Sequence, residues 1–200
     1  MLDLTRVLAG PYCSMLFADL GAEVIKIEPP EGEMIRDNPP QVENGKGGPH
    51  DRSRSAYFLS LNRNKYGITL NLKHPRAVAI FKDLVKISDV VLENYAPGVM
   101  KRLGIDYEAL KEINPRIIMG SITGFGQWGP YSEKIAFDIV AQATSGLMSV
   151  TGYPDTPPTR VGTSLGDINA AVHGAFAILA ALWHRERTGE GQYVDVSMQE

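Results

Sequence analysis

Apolar positions along the chain alternate between short continuous runs and stretches with helical spacing. Residues 1–4 are mostly apolar and predict a buried strand, with a turn at Ala9-Gly10-Pro11. Residues 12–20 put Met15, Leu16 and Leu20 on one side of a helix that stops at Gly21. Residues 23–28 read as a compact strand closed by Pro29-Pro30. Residues 29–55 are rich in proline, glycine and charge, carry little periodicity, and predict a long loop. Two short strands are expected at 57–61 and 67–72. His74-Pro75 then opens a helix to about residue 87, with Ala79, Ile80, Leu84 and Val85 on its apolar side. The pattern continues with a strand at 89–94, a helix at 107–113 and a strand at 116–122. A loop at 124–135, a helix at 138–150 and a second loop at 152–162 follow. A long small-sided helix over 168–187 and a strand at 192–196 complete it. This β-α-β rhythm predicts a doubly wound α/β fold with a mainly parallel sheet, without internal repeat or clear domain boundary.

Composition narrows the partners. The 200 residues are 44% hydrophobic and carry a net charge of −3, with a pI of about 5.8. Bulk charge therefore supports neither a nucleic-acid partner nor a membrane surface. No run approaches the roughly 20 apolar residues of a membrane span, and residues 1–27 lack the basic start of a signal peptide. The single cysteine, Cys13, excludes a disulfide within the chain and suggests a reducing compartment. Its apolar surroundings make it a packing residue rather than a nucleophile.

Asp167 is the most informative residue. It follows Gly166 at the entry of the apolar helix, where a carboxylate feels the helix dipole. It can be an N-cap, a nucleophile toward an activated acyl group, or both. The loops Leu8-Ala9-Gly10-Pro11, Asn94-Tyr95-Ala96-Pro97-Gly98 and Thr123-Gly124-Phe125-Gly126 each follow an expected strand, the side of a doubly wound sheet that binds ligands. No Walker A motif or complete dinucleotide fingerprint is present. Arg36, Arg52, Arg54, Arg63, Lys65, Lys73 and Arg102 are candidates for phosphate contacts, with ordinary solvated charge as the alternative. The histidines His50, His74, His173 and His184 show no metal spacing, and no metal site is expected.

Six stretches carry a resemblance. They are LDLTRVLAGPYCSMLFADLGAEVIKIEPP, YFLSLNRNKYGITLNLKHP, DVVLENYAPGVMKRLGIDYEAL, NPRIIMGSITGFGQWGP, AFDIVAQATSGLMSVTG and GTSLGDINAAVHGAFAILAALWHRERTGEGQYVDVSM. In this order, and over nearly the whole chain, they resemble the amino-terminal half of the family III CoA-transferases. The resemblance implies that residues 1–200 form one Rossmann-like large domain of an interlocked homodimer, with the small domain and the return segment in the other half. It implies that the nucleophilic aspartate is Asp167. It puts coenzyme A contacts on Leu8 and Ala9, on Leu70, Asn71, Leu72 and Lys73, on Asn94, Tyr95 and Ala96, on Arg102, and on Lys134, Ile135, Ala136 and Phe137. Coenzyme A and its thioesters enter as substrates, with no permanently bound cofactor, and a carboxylic acid is the acceptor. The implied route runs through an aspartyl mixed anhydride and an aspartyl-CoA thioester.

The racemase branch carries a catalytic histidine where this chain has Phe137, which favours transfer over racemisation. Formyl-CoA transferase has glutamine and arginine where this chain has Leu8 and Pro29, which argues against formyl/oxalate specificity. A non-catalytic, CoA-binding or dimerising fragment is the alternative. A cytoplasmic location is expected, or a mitochondrial matrix if the source is eukaryotic.

Overall fold

The computed structural model describes residues 1–41 and 55–200. Among these residues six strands form one sheet in the order β3-β2-β1-β4-β5-β6. They are β1 (Leu2–Asp3), β2 (Ile25–Glu28), β3 (Tyr66–Thr69), β4 (Val90–Glu93), β5 (Ile118–Thr123) and β6 (Tyr193–Ser197). Every pairing is parallel. The fold is the doubly wound, Rossmann-like α/β sheet that the strand-helix rhythm predicts. The chain reverses its winding between β1 and β4, so the crevice lies beyond the carboxyl ends of these two strands.

The middle strands β1, β4 and β5 are buried along their whole length because helices cover both faces. Val90, Leu92, Ile118 and Ile122 point into one core with α1 (Ala9–Asp19) and α7 (Leu165–Thr188). Leu2, Val91 and Met119 point into the other, with α3 (Pro75–Lys86) and α5 (Tyr107–Ile113). The small side of α7 permits close packing: a Cβ on Gly174 would lie 3.1 Å from Ile122 Cδ1 and 3.6 Å from Cys13 Sγ. Cys13 is buried there, and burial pushes its thiol up to about 12, as befits a packing residue. The 24-residue α7 is long and apolar enough to cross a membrane by length and composition, contrary to the sequence expectation. Ala170, Ala171, Ala175 and Ile178 are nevertheless buried against the sheet and α1, which is the behaviour of a core helix.

Several elements differ from expectation. Residues 57–61 belong to a helix, α2 (Ala56–Asn62), not a strand: Ser55 Oγ accepts the Phe58 N–H at 3.1 Å and caps it. The Ala9-Gly10-Pro11 segment is the first turn of α1 rather than a turn before it. The helix expected at 138–150 is α6 (Asp138–Thr144), and Gly146 at φ +82° separates it from a 3₁₀ turn at Leu147–Val150. A short α4 (Val99–Arg102) falls where no element is expected, and a 3₁₀ turn at Met34–Asp37 falls in the expected long loop.

Candidate active site

The loops that leave β1 and β4 are stitched together at the crevice. The Asn94 side chain accepts the Arg6 N–H and donates to the Arg6 carbonyl, both at 2.8 Å. The Arg6 guanidinium lies 5.1 Å from the centre of the Tyr95 ring. Below them α1 approaches the β1 loop so closely that a Cβ on Gly10 would meet Thr5 Cβ at 2.3 Å. Val7 has φ +66°, a conformation that a β-branched residue adopts at a cost of about 1–3 kcal/mol.

Asp167 enters the same space from the first turn of α7, three residues after the N-cap Ser164. It is thus not the N-cap, and among the described residues no hydrogen bond reaches its carboxylate. Burial and the neighbouring Asp138 charge raise it to about 6. Asp138, at the start of α6, is buried. It accepts the Gly166 N–H at 2.8 Å and the Gln142 amide at 2.7 Å. Gln142 in turn accepts the Val161 N–H at 2.9 Å, so the segment leading into α7 is fixed from α6. Tyr57 on α2 feels Asp167 as well: burial, then the Asp167 and Glu33 charges, raise its phenol.

The sequence candidates gather around this carboxylate. Leu8, Ala9, Asn94, Tyr95, Ala96, Lys134, Ile135, Ala136 and Phe137 line one cavity of about 260 Å³ with Asp167. Leu70, Asn71, Leu72 and Lys73 line a neighbouring cavity of about 500 Å³ that shares Arg6, Tyr95 and Ala96 with the first. Arg102 lines neither; its exposed side chain lies beside Gly98 on α4. Of the other cations, Arg36 pairs with Glu28, Arg63 with Asp19, and Lys65 with Asp3 inside the protein. The buried Lys65 is thereby committed to the fold, whereas Arg36 and the half-exposed Arg63 keep surface open to solvent; Arg52 and Arg54 lie outside the described residues. Among the described residues no cluster of His, Cys, Asp and Glu could hold a metal ion.

Sequence reasoning missed Asp138, Tyr57 and Arg6. Asp138 carried a signal, an acid opening a helix. The other two become visible only when α2 and the β1 loop are folded against α7.

A family model for CoA-transferase family III matches residues 1–200. The chain belongs to CoA-transferase family III. It is 48% identical over 204 residues to the succinyl-CoA:mesaconate CoA-transferase of Haloarcula marismortui, covering 99% of this chain and 50% of that protein. It is 46% identical over 199 residues to the succinyl-CoA:glutarate CoA-transferase of Mus musculus, covering 99% of this chain and 44% of that one. Among solved structures, a CAIB/BAIF family protein from Brucella suis superposes with a TM-score of 0.91 at 40% identity, over 99% of this chain and 51% of that one. The chain thus spans about half the length of the curated family III relatives it matches.

Proposed function

We propose that the whole protein transfers coenzyme A from an acyl-CoA thioester to a carboxylic acid, with Asp167 as the covalent carrier and residues 1–200 as its large domain. The observation that carries this reading is the state of Asp167: a half-buried carboxylate, without a hydrogen-bond donor among the described residues, raised to about 6 in a cavity of about 260 Å³ at the mouth of the crevice. A structural aspartate at a helix start normally holds backbone N–H groups; this one leaves its lone pairs free. At pH 7 roughly nine-tenths of it is ionised, and poor solvation keeps it reactive.

The steps balance without proton transfer. An Asp167 oxygen attacks the thioester carbonyl, the C–S bond breaks, and a mixed anhydride and CoA thiolate result. The thiolate attacks the aspartyl carbonyl, releasing the donor acid as its carboxylate and leaving an aspartyl thioester. The acceptor carboxylate attacks that thioester and displaces the thiolate. The thiolate then takes the acyl group from the second anhydride and frees Asp167. No general base is needed, and Phe137, which lines the cavity, supplies none. Arg6, Lys73 and Lys134 suit the phosphates of coenzyme A.

The likeness to transferases acting on succinyl-CoA with mesaconate or glutarate supports a dicarboxylic acid among the substrates. Along α7, Val172, Phe176, Leu179 and Trp183 are 46%, 72%, 47% and 69% exposed. This stripe supports a homodimer in which a second chain covers α7. Light scattering on the whole protein tests that assembly.

The activity test incubates the whole protein with succinyl-CoA and a panel of carboxylic acids. A CoA-sized adduct, sensitive to hydroxylamine and absent in Asp167→Ala, is expected. Thioester exchange that persists in Asp167→Ala would overturn the covalent route; absence of exchange with every acid would overturn the transferase reading.

A further inference from the structure

Between β1 and α1 the chain turns through Thr5, Arg6 and Val7, and side chains grip every backbone polar group from Thr5 N to Val7 N. The Thr5 N–H donates to Asp3 at 2.8 Å. The Thr5 carbonyl accepts Lys26 Nζ at 2.9 Å. Asn94 takes both Arg6 groups. The Val7 N–H donates to Glu33 Oε1 at 3.0 Å. Lys26 and Glu33 are themselves paired at 3.1 Å, their side chains 2% and 1% exposed.

Two features make this more than packing. A buried ion pair adds little to stability, since an apolar pair of equal volume fills the same space as well or better. And the residue it grips, Val7, is in the left-handed region, which valine leaves unless neighbours hold it there. Glu33 is held in turn: its N–H donates to Glu28 at 2.9 Å, and Arg36 pairs with Glu28. The grip on Val7 thus extends from the segment after β2 to the mouth of the crevice.

We propose that the buried Lys26–Glu33 pair is a positioning device, holding residues 5–7 in a strained turn that sets where Leu8 and Ala9 line the cavity beside Asp167. Its effect on catalysis rests on the transferase reading above; its effect on the turn does not.

The test uses four forms of the whole protein: wild type, Val7→Gly, Lys26→Met/Glu33→Leu, and the triple variant. The double variant replaces both charges of the pair by apolar groups, but Asp3 keeps only Lys65 as a cation, so its melting temperature should fall; all four forms are compared below the lowest transition, with exchange at the β4 amides as the control for global opening. Two readouts are taken. Without ligand, amide hydrogen exchange at Arg6 and Val7 should quicken at least tenfold in the double variant; unchanged exchange overturns the proposal whatever the activity. In turnover, the double variant should lose at least tenfold in kcat/KM. Adding Val7→Gly to it should restore part of that loss, because glycine adopts the left-handed turn without help. If Val7→Gly instead lowers activity by the same factor in both backgrounds, the pair does not act through the turn and the proposal falls. A wild-type protein that exchanges no thioester sinks the transferase reading alone, because hydrogen exchange on the same samples still decides whether the pair holds the turn.

Discussion

The Asp138 carboxylate accepts the Gly166 N–H at 2.8 Å, one residue before Asp167. A second negative charge is therefore fixed at the start of the helix that carries the proposed nucleophile, and after burial it is the cause that raises Asp167 to about 6. The arrangement opposes the helix dipole, which favours an ionised Asp167.

The pH dependence of turnover follows. Only the ionised Asp167 attacks, so the rate should be level above about pH 7 and fall about tenfold per unit below about pH 6. Removing the neighbouring charge in Asp138→Asn should move this acid limb down by roughly one unit. Asparagine keeps an acceptor for Gly166 but sets an amide against the Gln142 amide, so kcat should also drop. A pH-rate profile of the two proteins reads both effects; an acid limb that does not move would show that Asp138 acts by geometry alone.

Gly10 is required by a close approach, not by its backbone angles. Its Cβ would lie 2.3 Å from Thr5 Cβ and Cγ2. Thr5 cannot yield, because its hydroxyl donates to Asp3 at 2.5 Å and its backbone is gripped on both sides. Gly10→Ala should cost about 2–3 kcal/mol, measured by urea unfolding of the whole protein.

The strands were legible because burial on both faces writes continuous apolar runs, such as Val90-Val91-Leu92 and Ile117-Ile118-Met119. Tyr57-Phe58-Leu59-Ser60-Leu61 was not, because aromatic and apolar residues there satisfy a strand pattern. The helix is decided by the Ser55 cap and by Phe58 and Leu61 packing on Ile35. Asp167 could be singled out from its place after Gly166 at a helix mouth. The charge that tunes it could not, since α6 meets α7 only in the tertiary fold. Lys65 is a candidate phosphate contact by sequence, and Lys26 and Glu33 carry no signal of their own; all three are buried through a partner or acceptor that the sequence pattern does not indicate.

Lys65 offers a direct measure of that buried polarity. Its ammonium donates to Asp3, Ser14, Asn62 and the Pro11 carbonyl at 2.8–3.0 Å. Burial opposes ionisation of Asp3, but Lys26 and Lys65 outweigh it and hold its carboxyl at about 2. Lys65→Met leaves a buried carboxylate with one cation fewer and should cost about 3–5 kcal/mol at pH 7. Asp3 stabilises the fold fully above its ordinary value near 3.8, and that contribution is lost as pH falls through about 2. The deficit of Lys65→Met should therefore shrink in acid, which denaturation at pH 7 and pH 3 would reveal.

Glu93 behaves in the opposite sense. It ends β4 in a buried position, with its Oε2 accepting the Tyr95 N–H at 2.7 Å. Burial raises it to about 7, against the Ser121 and Tyr95 hydrogen bonds, while Asp195 raises it further. Its folded-state value lies above the ordinary 4.5, so its contribution to stability is complete below about pH 4.5 and is lost as pH rises through about 7. Glu93→Gln keeps an acceptor for the Tyr95 N–H and an amide for Ser121 but cannot ionise. Relative to wild type it should gain about 2 kcal/mol between pH 5 and pH 8. Chemical denaturation of both proteins at the two pH values checks this. A difference that stays constant across the range would mean that Glu93 titrates alike in the folded and unfolded chain, and that the Tyr95 amide alone defines its role at the end of β4.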